Sequence, residues 1–321
     1  MAWVIVPAVA WTVTPLWWWT LCALIVIAVG LGERPQTDAS TLGWFVFGCV
    51  AVYVVHRAQP LGVAGTWITY MAIHVTALAL IVERGDWRWL KTALLIVAWI
   101  QLPVIALQAF HVPVPWGSVG SGLTGTLGRR AIAASVLALA SMWSTDRRLA
   151  WGFGLASLMT GSLMGVISLF KMLWKWRALL MPIALCCAIL GWSRLALRLD
   201  AWAGLWPPRG LLTGWGFLPL PGGFAYTQGT WNAAPFIISD YHCAVLDWMT
   251  RTGLIGMLIM VGMGVWAHDR WHHAVLRWSL VWCAWTLLGQ SVEQNAMLMI
   301  CVGLVVVRCL QQRSEDAVAS T

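Results

Sequence analysis

Long apolar runs separated by short polar punctuation dominate the chain. A helix rises 1.5 Å per residue, so crossing a hydrocarbon layer of ~30 Å takes about 20 residues, or somewhat fewer where long side chains snorkel at the ends. Runs of that order fall roughly at 8–31, 41–57, 61–82, 89–110, 130–145, 148–170, 177–197, 243–267, 274–290 and 292–310. They predict about ten transmembrane helices, the fifth of them short. Pro7, Pro15, Pro103 and Pro182 fall inside these runs and predict kinks that neighbouring helices accommodate. The expected fold is all-α, a polytopic membrane helical bundle forming one integral membrane domain over residues 1–321.

One stretch breaks the pattern. Residues 198–241 are rich in Pro and Gly, among them Pro207, Pro208, Gly214, Gly216, Pro219, Pro221, Gly222 and Gly223, which predicts neither a helix nor a regular strand. Trp202, Trp206, Trp215, Phe217, Phe224, Tyr226, Trp231, Phe236 and Tyr241 argue against a solvated, disordered linker. A loop of this length is usually functional. The expectation is an outward-facing loop folded over the outer surface of the bundle, with aromatic faces available to sugars or lipid.

Composition agrees with the membrane reading. Of 321 residues 60% are hydrophobic and 10% charged, where ordinary soluble domains carry about 25% charged residues. The 26 tryptophans suit a chain that meets two membrane interfaces. A formal charge of +8 could point to nucleic acid, but the basic residues are scattered singly and in small groups. Anionic lipid headgroups or a negatively charged lipid-linked substrate fit that scatter better. The eight cysteines show no CxxC pair and no metal-ligand spacing, so they read as small hydrophobes. The first apolar run has no basic leader and continues past Gly30, which predicts a retained first helix.

Lys and Arg in short loops set the expected orientation. With both termini inside, Arg57, Arg129, Arg130, Lys171, Lys175, Arg177, Arg270, Arg277, Arg308 and Arg313 are cytoplasmic. Arg34, Arg84, Arg88, Lys91, Arg147 and Arg148 are then outside. The remaining Arg194, Arg198, Arg209 and Arg251 accompany the long outer loop, where cations against the usual bias suit an anionic ligand.

The candidate chemistry lies at the end of that loop, in Ser239–Gly256. His242 sits at the mouth of an apolar helix and titrates near neutral pH, so it can exchange a proton where its apolar neighbours cannot. Asp240 and Asp247 flank it, and either can fix its tautomer or serve as the base itself, the weaker choice because a water-accessible carboxylate has a lower proton affinity. Arg251 follows Asp247 by four residues, a spacing that pairs them on one helix face. A histidine that merely leads into a membrane helix is the plain alternative. Glu293 and Gln294 mark a turn in the last apolar stretch. His268, His272 and His273 belong to a solvated turn rather than a metal site, since no further ligand clusters with them. Gly120, Gly122, Gly125 and Gly128 lack the strand before and the Lys-Ser/Thr after that a nucleotide loop requires.

Together these residues resemble the O-antigen ligase and O-antigen polymerase superfamily. The ligase pattern is a histidine usually followed by Asn, Ser or Gln, nine residues, Gly, two residues and Gly. Here His242 is followed by Cys243, nine residues, Gly253, two residues and Gly256. Arg198 with Trp202 and Gly214-Trp215-Gly216 is similar to the family's approach to the same loop. Gly122–Gly128 resembles its glycine-rich segment, with Arg129-Arg130-Ala131 in place of Asn-Pro-Asn. Thr160-Gly161-Ser162 stands where many members have Thr-x-Ser-Arg-Gly, and Leu163 replaces the arginine.

The resemblance, which covers the chain from about residue 120 onward, implies transfer of a glycan from undecaprenyl diphosphate to a sugar hydroxyl. The acceptor is lipid A-core for a ligase or a second lipid-linked repeat unit for a polymerase. The site faces the periplasm, at the bacterial cytoplasmic membrane. It implies His242 as base, Arg198 with Arg209, Arg194 and Arg251 on the diphosphate, and support from Asp240, Asp247, Trp202, Gly253 and Gly256. No cofactor, metal or nucleic acid is implied. The rivals are a transporter of lipid-linked glycan and a scaffold subunit of an envelope assembly.

Overall fold

The structure is a computed structural model that describes residues 87–112, 114, 122–174, 224–226, 236–238 and 274–289, with scattered positions among 182–265 and 297–309. The runs at 8–31, 41–57 and 61–82 lie outside the described residues. What is described is a helical bundle with one short two-stranded sheet.

Helix α1 (Trp87–Ala109) contains Pro103, and over Lys91–Ala109 it is long and apolar enough to cross a membrane. It is the one such helix among the described residues. Helix α2 (Arg130–Trp143) is the centre of the bundle, with every residue from Ile132 to Trp143 buried. Its sequence is apolar on all sides and rich in alanine, which suits a helix enclosed by others at short interaxial distance. At about 21 Å it is shorter than the hydrocarbon layer.

Helix α3 (Arg147–Met159) begins at Asp146, whose carboxylate accepts from the N–H groups of Arg148 and Leu149 at 2.7 and 3.4 Å. Asp at this position satisfies donors that an isolated helix start leaves free. It runs antiparallel to α2, with the Ser157 hydroxyl donating to Ala134 O at 2.7 Å.

The single span expected at 148–170 is corrected here. The chain turns at Thr160-Gly161-Ser162, passes through a 3₁₀ turn (Leu163–Gly165) and returns as helix α4 (Val166–Met172). Ser168 Oγ lies 3.3 Å from Gly154 O, and a Cβ on Gly165 would strike the Ser157 carbonyl, so α3 and α4 form an antiparallel hairpin. The reversal has a local cause. Thr160 Oγ1 donates to Ser157 O, Gly161 takes φ 66°, and Ser162 Oγ accepts from Met164 N. Hydroxyls that compete for the backbone and a glycine in the left-handed region stop a helix that hydrophobicity alone would continue. Lys171 closes the hairpin by donating from Nζ to Ser141 O and Met142 O, both at 2.9 Å. Those carbonyls belong to the last turn of α2 and have no partner within it.

Helix α5 (Ala274–Gly289) packs antiparallel to α2. Trp143 Nε1 donates to Ser279 Oγ and Trp282 Nε1 donates to Ser135 O, each at 2.8 Å. Trp285 Nε1 reaches Leu163 O at 3.2 Å. Ser279, Trp282, Thr286 and Gly289 follow one another at three-four-three spacing and are all buried, forming the seam that faces α2 and the turn after α3. A Cβ at Gly289 would run into the Met164 side chain.

Strands β1 (Phe224–Tyr226) and β2 (Phe236–Ile238) pair antiparallel with Ala225 opposite Ile237. This corrects the expectation that residues 198–241 hold no regular strand. Both segments are short aromatic or β-branched runs between Gly- and Pro-rich stretches, and such runs fit a pleated ladder.

The packing also corrects the expected distribution of charge. Lys171 meets the end of α2 from which α3 departs, so it shares that end with Arg147 and Arg148. The start of α5, with Arg277, lies there too, since Ser279 meets Trp143 and Trp278 stacks edge-on against Trp174 at 5.2 Å. Residues expected on opposite sides of the membrane are thus neighbours.

Two outcomes follow from this packing. Trp143→Phe and Trp282→Phe each remove one interhelical hydrogen bond and should cost about 1–2 kcal/mol, read as a lowered thermal midpoint of the purified protein in detergent. Burial pushes the Lys171 amine down to about 8, below its value in the unfolded chain. Between pH 8 and the ordinary lysine range the unfolded state holds more protons, so stability contributed at this position rises with pH across that window. A Lys171→Met protein should show a flatter rise in thermal midpoint from pH 7.5 to pH 10 than wild type.

Candidate functional site

His242, Arg198, Arg209, Arg194, Arg251, Asp240, Asp247, Trp202 and Gly256 lie outside the described residues. One further member of the set, Gly253, and one neighbour, Cys243, are described. Cys243, beside the candidate base, is buried. Gly253 is buried in helix with φ 63°, a backbone conformation that a side chain strains, so its backbone alone calls for glycine.

The structure does unite the other two motifs. The antiparallel pairing of α2 and α3 brings the glycine-rich segment before α2 and the Thr160-Gly161-Ser162 turn after α3 to one end of the bundle. Arg129 and Arg130 stand at that end, both exposed. Leu163, at the position of the missing arginine, is part-exposed, and its carbonyl accepts from Trp285.

The glycine-rich segment is irregular apart from a single 3₁₀ turn (Gly125–Leu127), yet Thr124, Gly125, Thr126 and Leu127 are all buried. Irregular backbone in such a place needs donors and acceptors from the protein itself. Two glutamines of α1 supply them. Gln108 Oε1 accepts from the N–H groups of Thr124 and Gly125, both at 2.9 Å, while its Nε2 donates to Gly125 O at 3.3 Å. Gln101 Oε1 accepts from Thr126 N at 2.8 Å, and its Nε2 donates to Thr126 Oγ1 at 2.9 Å. Each carboxamide acts as a substitute peptide group. Gly125 takes φ 58°, and a Cβ there would collide with Gln101 Oε1. Glycine is required by both conformation and space.

Sequence reasoning missed Gln101 and Gln108 as a pair. The signal was present: two polar residues seven apart in an apolar run share a helix face, and such residues in a membrane helix face partners. Arg129 and Arg130 entered only as a departure from the family pattern and as loop charges.

The segments that meet here differ in how far they are committed. Thr160 and Ser162 spend their hydroxyls on building the turn, and Thr124 and Thr126 are tied to the glutamines. The two guanidinium groups are the cationic chemistry this end of the described bundle offers. No protein-family model, curated protein or solved structure matches the chain.

If the glutamines hold the loop, Gln101→Leu and Gln108→Leu should each destabilise the protein by about 1–3 kcal/mol by orphaning buried peptide groups. Gly125→Ala should be at least as damaging. Limited proteolysis between residues 122 and 130 would report the loosened loop. Resistance equal to wild type in all three variants would contradict the assignment.

Proposed function

We propose that this chain is a polytopic helical protein of the bacterial cytoplasmic membrane that transfers a glycan from undecaprenyl diphosphate to an acceptor sugar hydroxyl on the outer face. The membrane part of the reading is carried by one observation, the apolar stripes exposed on the surface of the bundle. On α3, Leu155 and Met159 are 50% and 55% exposed while Ser157 and Thr160 are 0% and 4% exposed. Trp151 continues the exposed apolar stripe. Leu254, Leu258, Val261 and Val265 form another at helical spacing. A bundle surrounded by water places such residues the other way round, whereas lipid favours apolar surfaces outside and hydroxyls against neighbouring helices.

The chemical part rests on the residues of the loop and the helix after it. A sugar hydroxyl is a poor nucleophile at neutral pH, so a base within ~3 Å assists its attack, and His242 is suited to that proton. The departing diphosphate gathers negative charge that guanidinium groups stabilise through paired hydrogen bonds, the role proposed for Arg198 with Arg209, Arg194 and Arg251. Asp240 or Asp247 orients the imidazole. The new bond forms from the acceptor oxygen to the anomeric carbon as the bond to the diphosphate breaks, with inversion at that carbon. The spacing from His242 through Gly253 to Gly256 favours lipid A-core as acceptor over a second lipid-linked unit, which defines the polymerase alternative.

A transporter of lipid-linked glycan is the second reading, favoured by the two chain breaks at one end of the bundle. Discontinuous segments of this kind line binding sites in transporters.

Purified protein, a labelled undecaprenyl diphosphate glycan and either acceptor decide among these. Product on lipid A-core, abolished by His242→Ala and reduced at least about a hundredfold by Arg198→Ala, is expected. Product only on the lipid-linked unit identifies a polymerase. Absence of product from folded protein, with uptake of the glycan lipid into proteoliposomes, identifies the transporter.

A further inference from the structure

The two ends of the bundle differ in charge, and the α3–α4 hairpin decides which end faces which side. Helix α1 runs antiparallel to α2, since Gln108 and Gln101 meet the loop that leads into α2 and Trp99 stacks edge-on against Phe153 at 6.4 Å. Its first turns, with Arg88 and Lys91, therefore join Arg147, Arg148, Lys171 and Arg277 at one end. Arg129 and Arg130 stand at the other.

Because residues 147–172 return to the side they left, they do not cross the bundle. If each of the other nine apolar runs crosses once, the sides of many loops exchange. Arg34, Arg84, Arg88, Lys91, Arg147, Arg148, Lys171, Lys175, Arg177, Arg270, Arg277, Arg308 and Arg313 then share one side. Among short loops the other side keeps Arg57, Arg129 and Arg130. A division of ten to six becomes thirteen to three, a strong bias toward a cytoplasmic basic end. On the same count of apolar runs, the loop expected at 198–241, with His242 at its end, belongs to the side of Arg129 and Arg130.

We propose that Arg129 and Arg130 form a binding site for a phosphate or diphosphate group on the outer face of the membrane. Adjacent arginines facing outward run against the bias that thirteen of the sixteen basic residues of the short loops obey, and an anionic ligand is the physical reason to keep them there. Both are exposed, and among the described residues neither guanidinium has an acidic partner. Arg130 folds back over the loop, its Cδ 3.9 Å from the position of a Cβ on Gly122. The glutamine-held loop fixes the backbone from which the pair extends. The Thr160-Gly161-Ser162 turn lies at the same end of the bundle. Planar guanidinium groups accept phosphate oxygens in pairs, which a lysine does not.

This inference rests on the membrane reading of the preceding section and is tested without any transfer assay. Single cysteines at Thr145, Trp174 and Arg129 would be labelled in intact cells with a membrane-impermeant maleimide, wild type setting the background. Arg129→Cys labelled from outside, with Thr145→Cys and Trp174→Cys both protected until the cells are opened, is expected. Thr145 and Trp174 on opposite sides would overturn the hairpin while leaving the membrane reading intact; loss of the protein from the membrane fraction would overturn both. Binding of farnesyl diphosphate and of inorganic pyrophosphate to the purified protein would then be measured. An Arg129→Gln/Arg130→Gln protein should bind farnesyl diphosphate about tenfold or more weakly, while Arg147→Gln/Arg148→Gln, with equal charge removed at the opposite end, stays within about twofold. Competition by pyrophosphate at similar affinity would identify a free phosphate compound as the source, and its failure a lipid-borne one. Equal weakening in both double variants, or in neither, would overturn the site.

Discussion

The bundle depends on satisfying polar groups where no water reaches them. A buried N–H or C=O without a partner costs about 1–3 kcal/mol, so an apolar interior tolerates irregular backbone and interhelical hydroxyls only when other parts of the chain complete their hydrogen bonds. Helix α2, wholly enclosed, shows how this is met. Its Trp143 donates to Ser279 while Trp282 donates back to the Ser135 carbonyl, so α2 and α5 are joined by reciprocal bonds from large apolar rings with one polar atom each. Lys171 occupies the last free carbonyls of α2, and the glutamines of α1 occupy the peptide groups of the loop before it. Among the described residues, the buried hydroxyls of Ser135 and Thr286 have no hydrogen-bond partner. Their small size permits close approach of the helices, which offsets part of that cost.

This accounting also explains why the chain can break its helices twice near one end. Hydrogen bonds within a continuous helix need no outside help, whereas each break requires neighbours with matching donors and acceptors. The glycine-rich segment finds them in Gln101 and Gln108, and the turn at Thr160-Gly161-Ser162 finds them in its own hydroxyls. Because both breaks are satisfied internally, their geometry is rigid, and the exposed arginines beside them project from a fixed base. Rigidity of that kind suits the binding of a phosphorylated group, whose oxygens reward donors already in position.

The chemistry proposed for His242 and the placement proposed for Arg129 and Arg130 draw on different observations. His242 belongs to a sequence pattern, the arginines to a packing pattern. A base for the acceptor hydroxyl and cations for the departing diphosphate are the two requirements of the proposed transfer.

Much of the helical bundle was legible in the sequence, because hydrophobicity sets which segments leave water and does so residue by residue. The apolar run at 89–110 is α1, and that at 274–290 is α5. The run at 148–170 looks the same by hydrophobicity, yet it is a hairpin, since the decision lies in three small residues whose local hydrogen bonds outweigh the apolar pattern around them. The ladder of β1 and β2 depended on pairing across nine intervening residues, which no local propensity specifies. The seven-residue spacing of Gln101 and Gln108 was visible, but which backbone they serve was set only when the glycine-rich loop folded against α1. The sequence by itself determined that the chain is apolar, helical and basic; the tertiary structure alone decided which basic residues share an end, because that depends on where each helix turns back.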